Sequence, residues 1–252
     1  IKGMLKSPGL TLEGEYRINL RLYNEYKKFH IDSAIHYVDR NIEISRQLNR
    51  PYFTNQSSLH LSLLYSMCGR FREAEIILKS IKTSELPRDL LINYYQTYSS
   101  FWGHYSISVA NNLYGKQQSA YQDSLYALID HTSWDYRMSQ ASYYIWRDTL
   151  KSKEIFKELL DIEEVGTPNY AMITHSYSRL CHHQKKYDEE KKYLILSAIA
   201  DTRNATRENA SLQSLALIQY EEKNLADAFK FTQSAIDDVI SSGIHFRAIE
   251  IY

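Results

Sequence analysis

The stretch that decides the fold is "LYSMCGRFREAEIILKSI", residues 64–81, in which a glycine separates two runs with helical spacing. Gly69 is followed five residues later by Ala74, and then by Leu78 and Ile81. Glycine adopts the left-handed conformation that ends many helices, and a small alanine lets a second helix approach closely. The stretch therefore predicts an antiparallel pair: helix A over about residues 52–67 and helix B over about residues 72–81.

The same pattern recurs along the chain, with a small or polar residue at the position of Ala74 in most copies. These anchor residues are Ala34, Ala74, Ala120, Ser152, Glu190 and Ala228. The match at Ala120 is looser, and Glu190 is larger than the other anchors. Repeats that bury their apolar faces only against neighbours form solenoids. We therefore predict an all-α, right-handed superhelical solenoid of about six divergent helical hairpins, forming a single domain over residues 1–252.

Three prolines support the predicted helix boundaries. Pro51, Pro87 and Pro168 each stand at or just before a predicted helix A. Proline is tolerated in the first turn of a helix but disrupts the interior. The chain has no linker rich in glycine, serine or proline, which favours one continuous array.

Composition and charge exclude several classes of function. Lys plus Arg and Asp plus Glu are 30 each, so the formal net charge is zero, and no basic cluster stands out. Direct nucleic-acid contact by this segment is therefore disfavoured. No apolar run approaches the roughly 18 to 20 residues of a membrane span. Cys68 and Cys181 have neither disulfide-framework nor metal-ligand spacing, and they are compatible with the cytoplasm or the periplasm.

The residues around Gly69 resemble a known repeat family. Gly69, Phe71, Ala74 and Leu78 match the G-x-F/Y-x-x-A-x-x-x-L/F pattern of the tetratricopeptide repeat (TPR), and Tyr65 and Pro87 fit two further positions. The chain departs from that family in its period, which is mostly 38 to 40 residues instead of 34. Most of the family's Trp and Leu-Gly positions in helix A are also missing.

A second resemblance covers the whole chain. The opening "LEGEYRINLRLYNEYKKFHIDSAIHYVDRNIEISRQL", residues 12–48, and the closing "FRAIEIY", residues 246–252, resemble the repeat region of membrane-anchored transcription regulators of Bacteroidetes. The resemblance implies a periplasmic solenoid that is tethered to the inner membrane and belongs to a longer chain. A signal peptide, a transmembrane helix, a coiled coil and a DNA-binding helix-turn-helix would lie outside these residues. The ending "GIHFRAIEIY" itself looks helical, which suggests that a further helix follows.

The TPR resemblance also implies a binding groove, because helix A lines the concave face in that family. The groove positions that we single out are Tyr23, Tyr26, Trp134, Arg137, Tyr144, His175, Arg179, His182 and Tyr220, together with Tyr16, Asn19, Gln56, Leu59, Leu63 and Gln213. Aromatic rings, Arg, His and amides could hold a sugar or a peptide carboxylate. The competing interpretation is a polar, aromatic surface that serves solubility.

No catalytic motif is present, so we expect a non-enzymatic domain without a cofactor. A metal site at His175, Cys181, His182 and His183 is disfavoured because further convergent donors would be needed. Three classes stay open: the periplasmic sensor of a membrane-bound regulator, a cytosolic adaptor that binds a partner peptide, and an enzyme using the His175–His182 region. The expected partner is a protein, a peptide or a small ligand such as a sugar. The membrane would be reached through an adjacent segment, and a homodimer is possible.

Overall fold

The protein is built from helical hairpins, as the sequence predicts. In the computed structural model, residues 1–207 and 210–246 are described, and these residues form twelve α-helices and no strand. The first helices of the six hairpins are Leu12–Tyr26 (α1), Pro51–Met67 (α3), Arg88–Ser108 (α5), Trp134–Tyr144 (α7), Pro168–His183 (α9) and Ala210–Glu221 (α11). The second helices are Ile31–Gln47 (α2), Phe71–Ser80 (α4), Gly115–Tyr126 (α6), Thr149–Ile162 (α8), Tyr187–Arg203 (α10) and Leu225–Ser242 (α12). The all-α fold class and the number of hairpins are confirmed.

The helices fall into two compact units. The first contains residues 1–128 and, among the described residues near the C-terminus, Val239 to Phe246. The second contains Ile129–Asp238, so the boundary between the units falls within α12. Short 3-10 turns at Lys2–Lys6, Thr83–Glu85 and Asn112–Tyr114 belong to the first unit. The single domain over residues 1–252 stays a prediction.

Gly69 adopts the left-handed conformation that the sequence predicts at this turn. Its φ is 80°, and α3 ends at Met67 while α4 begins at Phe71. The N–H of Arg70 donates to the Tyr65 carbonyl at 2.8 Å, and the N–H of Gly69 donates to the Ser66 carbonyl at 3.3 Å. This bond pair is the Schellman motif, which satisfies carbonyl groups left open at a helix end.

The same two backbone hydrogen bonds end five other helices, at which the residue with positive φ is not glycine. The residues with positive φ at these places are Asn49, Ala110, Lys185, Ala205 and Lys223. In each case the next N–H donates to a carbonyl five residues earlier, as Lys186 does to Cys181 at 2.9 Å. The turn geometry therefore repeats where the glycine signal does not.

Small residues at the anchor positions let the paired helices approach. Ala34, Ala74 and Ser152 are fully buried. The Ser152 hydroxyl donates to the Ala141 carbonyl at 2.7 Å, which joins α8 to α7. The Ser62 hydroxyl donates to the Ala74 carbonyl at 3.1 Å, which joins α3 to α4. These bonds satisfy hydroxyl groups that would otherwise be costly to bury.

The third hairpin departs from the sequence alignment. Ala120 is exposed in α6, so it is not the buried anchor that the alignment predicts. Tyr121 packs instead, with its ring stacked on Tyr98 of α5 at a centroid distance of 4.2 Å. An aromatic interface has replaced the small-residue contact at this hairpin.

Candidate functional site

Tyr23, the first predicted groove residue, lies inside the first unit. Its side chain is 2% exposed, and its ring stacks on His60 of α3 at a centroid distance of 4.3 Å. The Lys27 ammonium lies 5.0 Å from the centre of the Tyr23 ring. This burial corrects the expectation that Tyr23 faces an open groove, because α3 of the next hairpin covers it.

Burial controls the protonation of this cluster. It lowers the pKa of His60 to about 4, with a further contribution from the charge of Lys27. Burial also lowers the pKa of Lys27 and raises the pKa of Tyr23. At neutral pH, His60 is therefore an uncharged ring that packs against a neutral phenol.

Other predicted positions of the first hairpin also serve packing. Tyr26 is half-buried and stacks on Tyr37 of α2 at 5.7 Å, while the Lys2 ammonium lies 5.1 Å from its ring centre. Tyr16 and Asn19 are buried. The Tyr16 hydroxyl donates to the Gln56 side-chain oxygen at 2.9 Å. These residues hold neighbouring helices together.

An occupied cleft, which residue spacing in the sequence does not predict, lies at the C-terminal end of α3. Ile244 and Phe246 are each 1% exposed and belong to the core cluster that includes Tyr23 and Leu64. The N–H groups of His245 and Phe246 donate to the Met67 carbonyl at 2.9 and 3.2 Å. Residues 243–246 are not helical, which corrects the helical interpretation of "GIHF"; residues 247–252 of that ending lie outside the described residues.

In the second unit, α7 carries three of the predicted residues. Trp134 is half-buried and packs against a core cluster that includes Phe156. The Arg137 guanidinium forms an ion pair with Glu158 of α8. The Tyr144 hydroxyl accepts a hydrogen bond from the Lys151 ammonium at 2.9 Å, and this ammonium lies 4.2 Å from the ring centre. Two cationic side chains and two aromatic rings are thus ordered on α7 and α8.

The next helix A of this unit, α9, carries His175, Arg179 and His182 at spacings of four and three residues. Such spacing places the three residues on one face of the helix. His182 is exposed, and its Nδ1 donates to the Glu190 carboxylate of α10 at 2.9 Å. Tyr220 of α11 is 66% exposed. Arg179 is also exposed, so both it and Tyr220 can be reached from solvent.

The residues of the alternative metal site lie partly in the core and partly on the surface. Cys181 is buried, and burial raises the pKa of its thiol to about 11. His183 contacts Trp146, with ring centres 4.5 Å apart. Within residues 1–207 and 210–246, no group of three or more His, Cys, Asp or Glu side chains is arranged to hold a metal ion.

The described part of the chain contains no helix that is long and apolar enough to cross a membrane. Its helical hairpins, closed by Schellman turns and buried small residues, define a tetratricopeptide-type helical repeat protein. A family model described as the SusR N-terminal TPR domain matches residues 1–252. The chain belongs to this family. No curated protein sequence matches the chain significantly.

Proposed function

We propose that this chain is the sensing and protein-interaction domain of a membrane-anchored transcription regulator and that it acts in the periplasm without catalysing a reaction. The match of the whole chain to the SusR N-terminal TPR domain carries this proposal. TPR domains mediate protein interactions. In this proposal, the transcriptional output belongs to a further part of the regulator. Ligand binding would then change the packing between adjacent hairpins, because each hairpin is stabilised by its neighbours. That structural change would be transmitted to the rest of the regulator.

The proposed ligand surface lies on the first helices of the hairpins in the second unit. Arg137 and Arg179 supply guanidinium groups, and Tyr144 and Tyr220 supply aromatic faces. A guanidinium pairs with a carboxylate through two parallel hydrogen bonds, whereas an aromatic face stacks on an apolar sugar face or side chain. The surface therefore suits a peptide carboxylate or a sugar. An incoming carboxylate would compete with Glu158 for Arg137.

The ligand surface can be tested with a triple variant in which Arg137, Tyr144 and Arg179 become alanine. The wild-type chain is first screened for binding against oligosaccharides and short peptides by calorimetry. Loss of binding by the triple variant, with helix content unchanged, is the expected result. A matched variant with alanine at the exposed residues Arg46, Tyr143 and Arg203 should bind normally. Full affinity in the Arg137, Tyr144 and Arg179 variant would exclude this surface.

Location is tested separately in cells. Alkaline phosphatase, which is active only outside the cytoplasm, is fused after Tyr252 in the gene with its natural upstream sequence. Green fluorescent protein at the same point is the opposite reporter. Active phosphatase and dark fluorescent protein are expected for a periplasmic domain. The reverse pattern would favour the alternative, a cytosolic adaptor that binds a partner peptide.

A further inference from the structure

The segment Ile244–His245–Phe246, which we name the strap, lies in the cleft of the first unit as a bound peptide would. Both apolar side chains point into the core, whereas His245 between them is exposed. The strap therefore buries residues i and i+2 and leaves the residue between them in solvent. Its backbone turns here, because the successive N–H groups of His245 and Phe246 donate to one oxygen and so face the same side, whereas those of an extended strand alternate.

The cleft supplies a backbone acceptor. Met67 is the last residue of α3, and its carbonyl is one of the groups that no residue of the helix can satisfy. The Schellman turn at Gly69 uses the carbonyls of Tyr65 and Ser66 and leaves that of Met67. The N–H groups of His245 and Phe246 both donate to this oxygen. Main-chain bonds of this type recognise any peptide of suitable shape and leave sequence selection to the side chains.

The cleft also supplies an aromatic platform. Phe246 stacks on His104 of α5, with ring centres 4.1 Å apart. Nδ1 of His104 lies 2.9 Å from the Ser66 hydroxyl, which holds the imidazole ring in place beneath Phe246. A ring fixed in this way favours an aromatic residue at the second buried position of the strap. Leu64 and Ile31 line the neighbouring part of the same cluster, where an aliphatic side chain fits.

The geometry points to a peptide-binding site at the C-terminal end of α3, which takes an aliphatic–x–aromatic segment in a turned conformation and is occupied in cis by Ile244–Phe246. Burying two apolar side chains gains free energy of the same order as the entropy lost on ordering their backbone. A small net free energy would leave the strap displaceable by a competing peptide. The Gly243 φ of 76° ends α12 just before the strap and provides the hinge. This inference deepens the proposed protein-interaction function and rests on it, because it names a ligand class for the first unit.

Removing the aromatic anchor of the strap should open the site. A fluorescein-labelled SSGIHF peptide, residues 241–246, is titrated into the 252-residue chain carrying Phe246→Ala and into wild type, with binding followed by anisotropy. The variant should bind at least about tenfold more tightly, because the strap of wild type occupies the site. The peptide SSGAHA should not bind. Phe229→Ala, which removes an exposed phenylalanine, should behave as wild type. Equal binding of SSGIHF to a folded Phe246→Ala variant and to wild type would overturn the inference.

A measurement on wild type covers the case in which Phe246→Ala does not fold. Hydrogen exchange is followed at the amides of His245 and Phe246 with and without unlabelled SSGIHF at about 1 mM, the order of the effective concentration of a tethered segment. The peptide should accelerate exchange at these two amides severalfold and leave Leu64 unchanged. Unchanged exchange at the strap would overturn the inference. Peptide binding is also measured in the Arg137, Tyr144 and Arg179 variant, where it should persist, so that a failure of the proposed ligand surface is distinguished from a failure of this site.

Discussion

The backbone N–H of Lys186 donates to the carbonyl oxygen of Cys181 at 2.9 Å, across a lysine, Lys185, whose φ is 59°. Asn224 and Gln219 form the same bond at 2.9 Å across Lys223, whose φ is 62°. These are the bonds that Gly69 permits in the second hairpin. A residue with a Cβ atom is less stable than glycine in the left-handed region. The fifth and sixth hairpins therefore keep the turn geometry at a conformational cost.

Replacing Lys185 or Lys223 by glycine should stabilise the protein. Relief of the left-handed conformation exceeds the entropy that glycine adds to the unfolded chain, so each change should raise the free energy of unfolding by about 0.5 to 1 kcal/mol. Urea denaturation followed by circular dichroism measures this difference. Lys192→Gly, in the interior of α10, should lower stability by about 1 kcal/mol. Gly69→Ala should also lower it, although no atom lies within 4 Å of the added Cβ. A loss of stability in Lys185→Gly would contradict the argument.

Two alanines that the sequence alignment treats as equivalent should respond differently to leucine. Ala74 is fully buried, so Ala74→Leu should overpack the α3–α4 contact and cost about 1 to 3 kcal/mol or more. Ala120 is exposed, so Ala120→Leu should change stability by less than about 0.5 kcal/mol. Thermal unfolding of the two variants measures the difference. Similar losses would mean that α6 packs through Ala120 after all.

The buried bond between Ser152 and Ala141 should be measurable by mutation. Ser152→Ala leaves the Ala141 carbonyl without this donor and removes a hydroxyl that fills a close contact. The expected loss is about 1 to 2 kcal/mol. Ser80→Ala is the control, because the Ser80 hydroxyl is exposed and bonds only within its own helix, to Ile77. An unchanged midpoint of urea unfolding in Ser152→Ala would show that the bond contributes nothing.

Acid should destabilise the first unit through His60. Its pKa is about 4 in the folded chain, against an ordinary value of 6.5, so the unfolded chain binds more protons between these values. Stability from this source is complete above about pH 6.5 and decreases as the pH falls towards 4, by at most about 3 kcal/mol. His60→Phe keeps a ring against Tyr23 and should weaken this dependence. Unfolding free energies measured at several pH values test both expectations.

Much of the fold could be predicted because the decisive signals are local. Pro51 and Pro168 do occupy the first turns of α3 and α9, and Pro87 immediately precedes α5. Gly69 and Ala74 fixed the register of one hairpin, which then aligned the others. The prediction failed at Ala120, because two aromatic rings, Tyr98 and Tyr121, form that contact. Ring stacking between distant residues leaves no periodic signal in a sequence.

The candidate site was less predictable. The groove positions were chosen by helix face, and that rule does not say how deeply a neighbouring hairpin covers them. Tyr23 is thereby enclosed by α3, whereas Tyr220 at the equivalent kind of position is exposed. The strap has only one sequence signal, Gly243 followed by "IHF". That signal does not predict which carbonyl, some 180 residues earlier in the chain, will accept hydrogen bonds from the N–H groups of the strap.

The sequence by itself determined the all-α class, the six hairpins and the resemblance to the tetratricopeptide repeat, since these depend on residues within a turn or two of each other. Tertiary structure decided which lysines adopt the left-handed conformation, which tyrosines are buried and where Ile244 and Phe246 lie. These features depend on the free energy of contacts between residues far apart in the chain. Residue spacing along the chain predicts where helices form. Burial, and the hydrogen bonds made to a helix-end carbonyl such as that of Met67, exist only after the helices have packed.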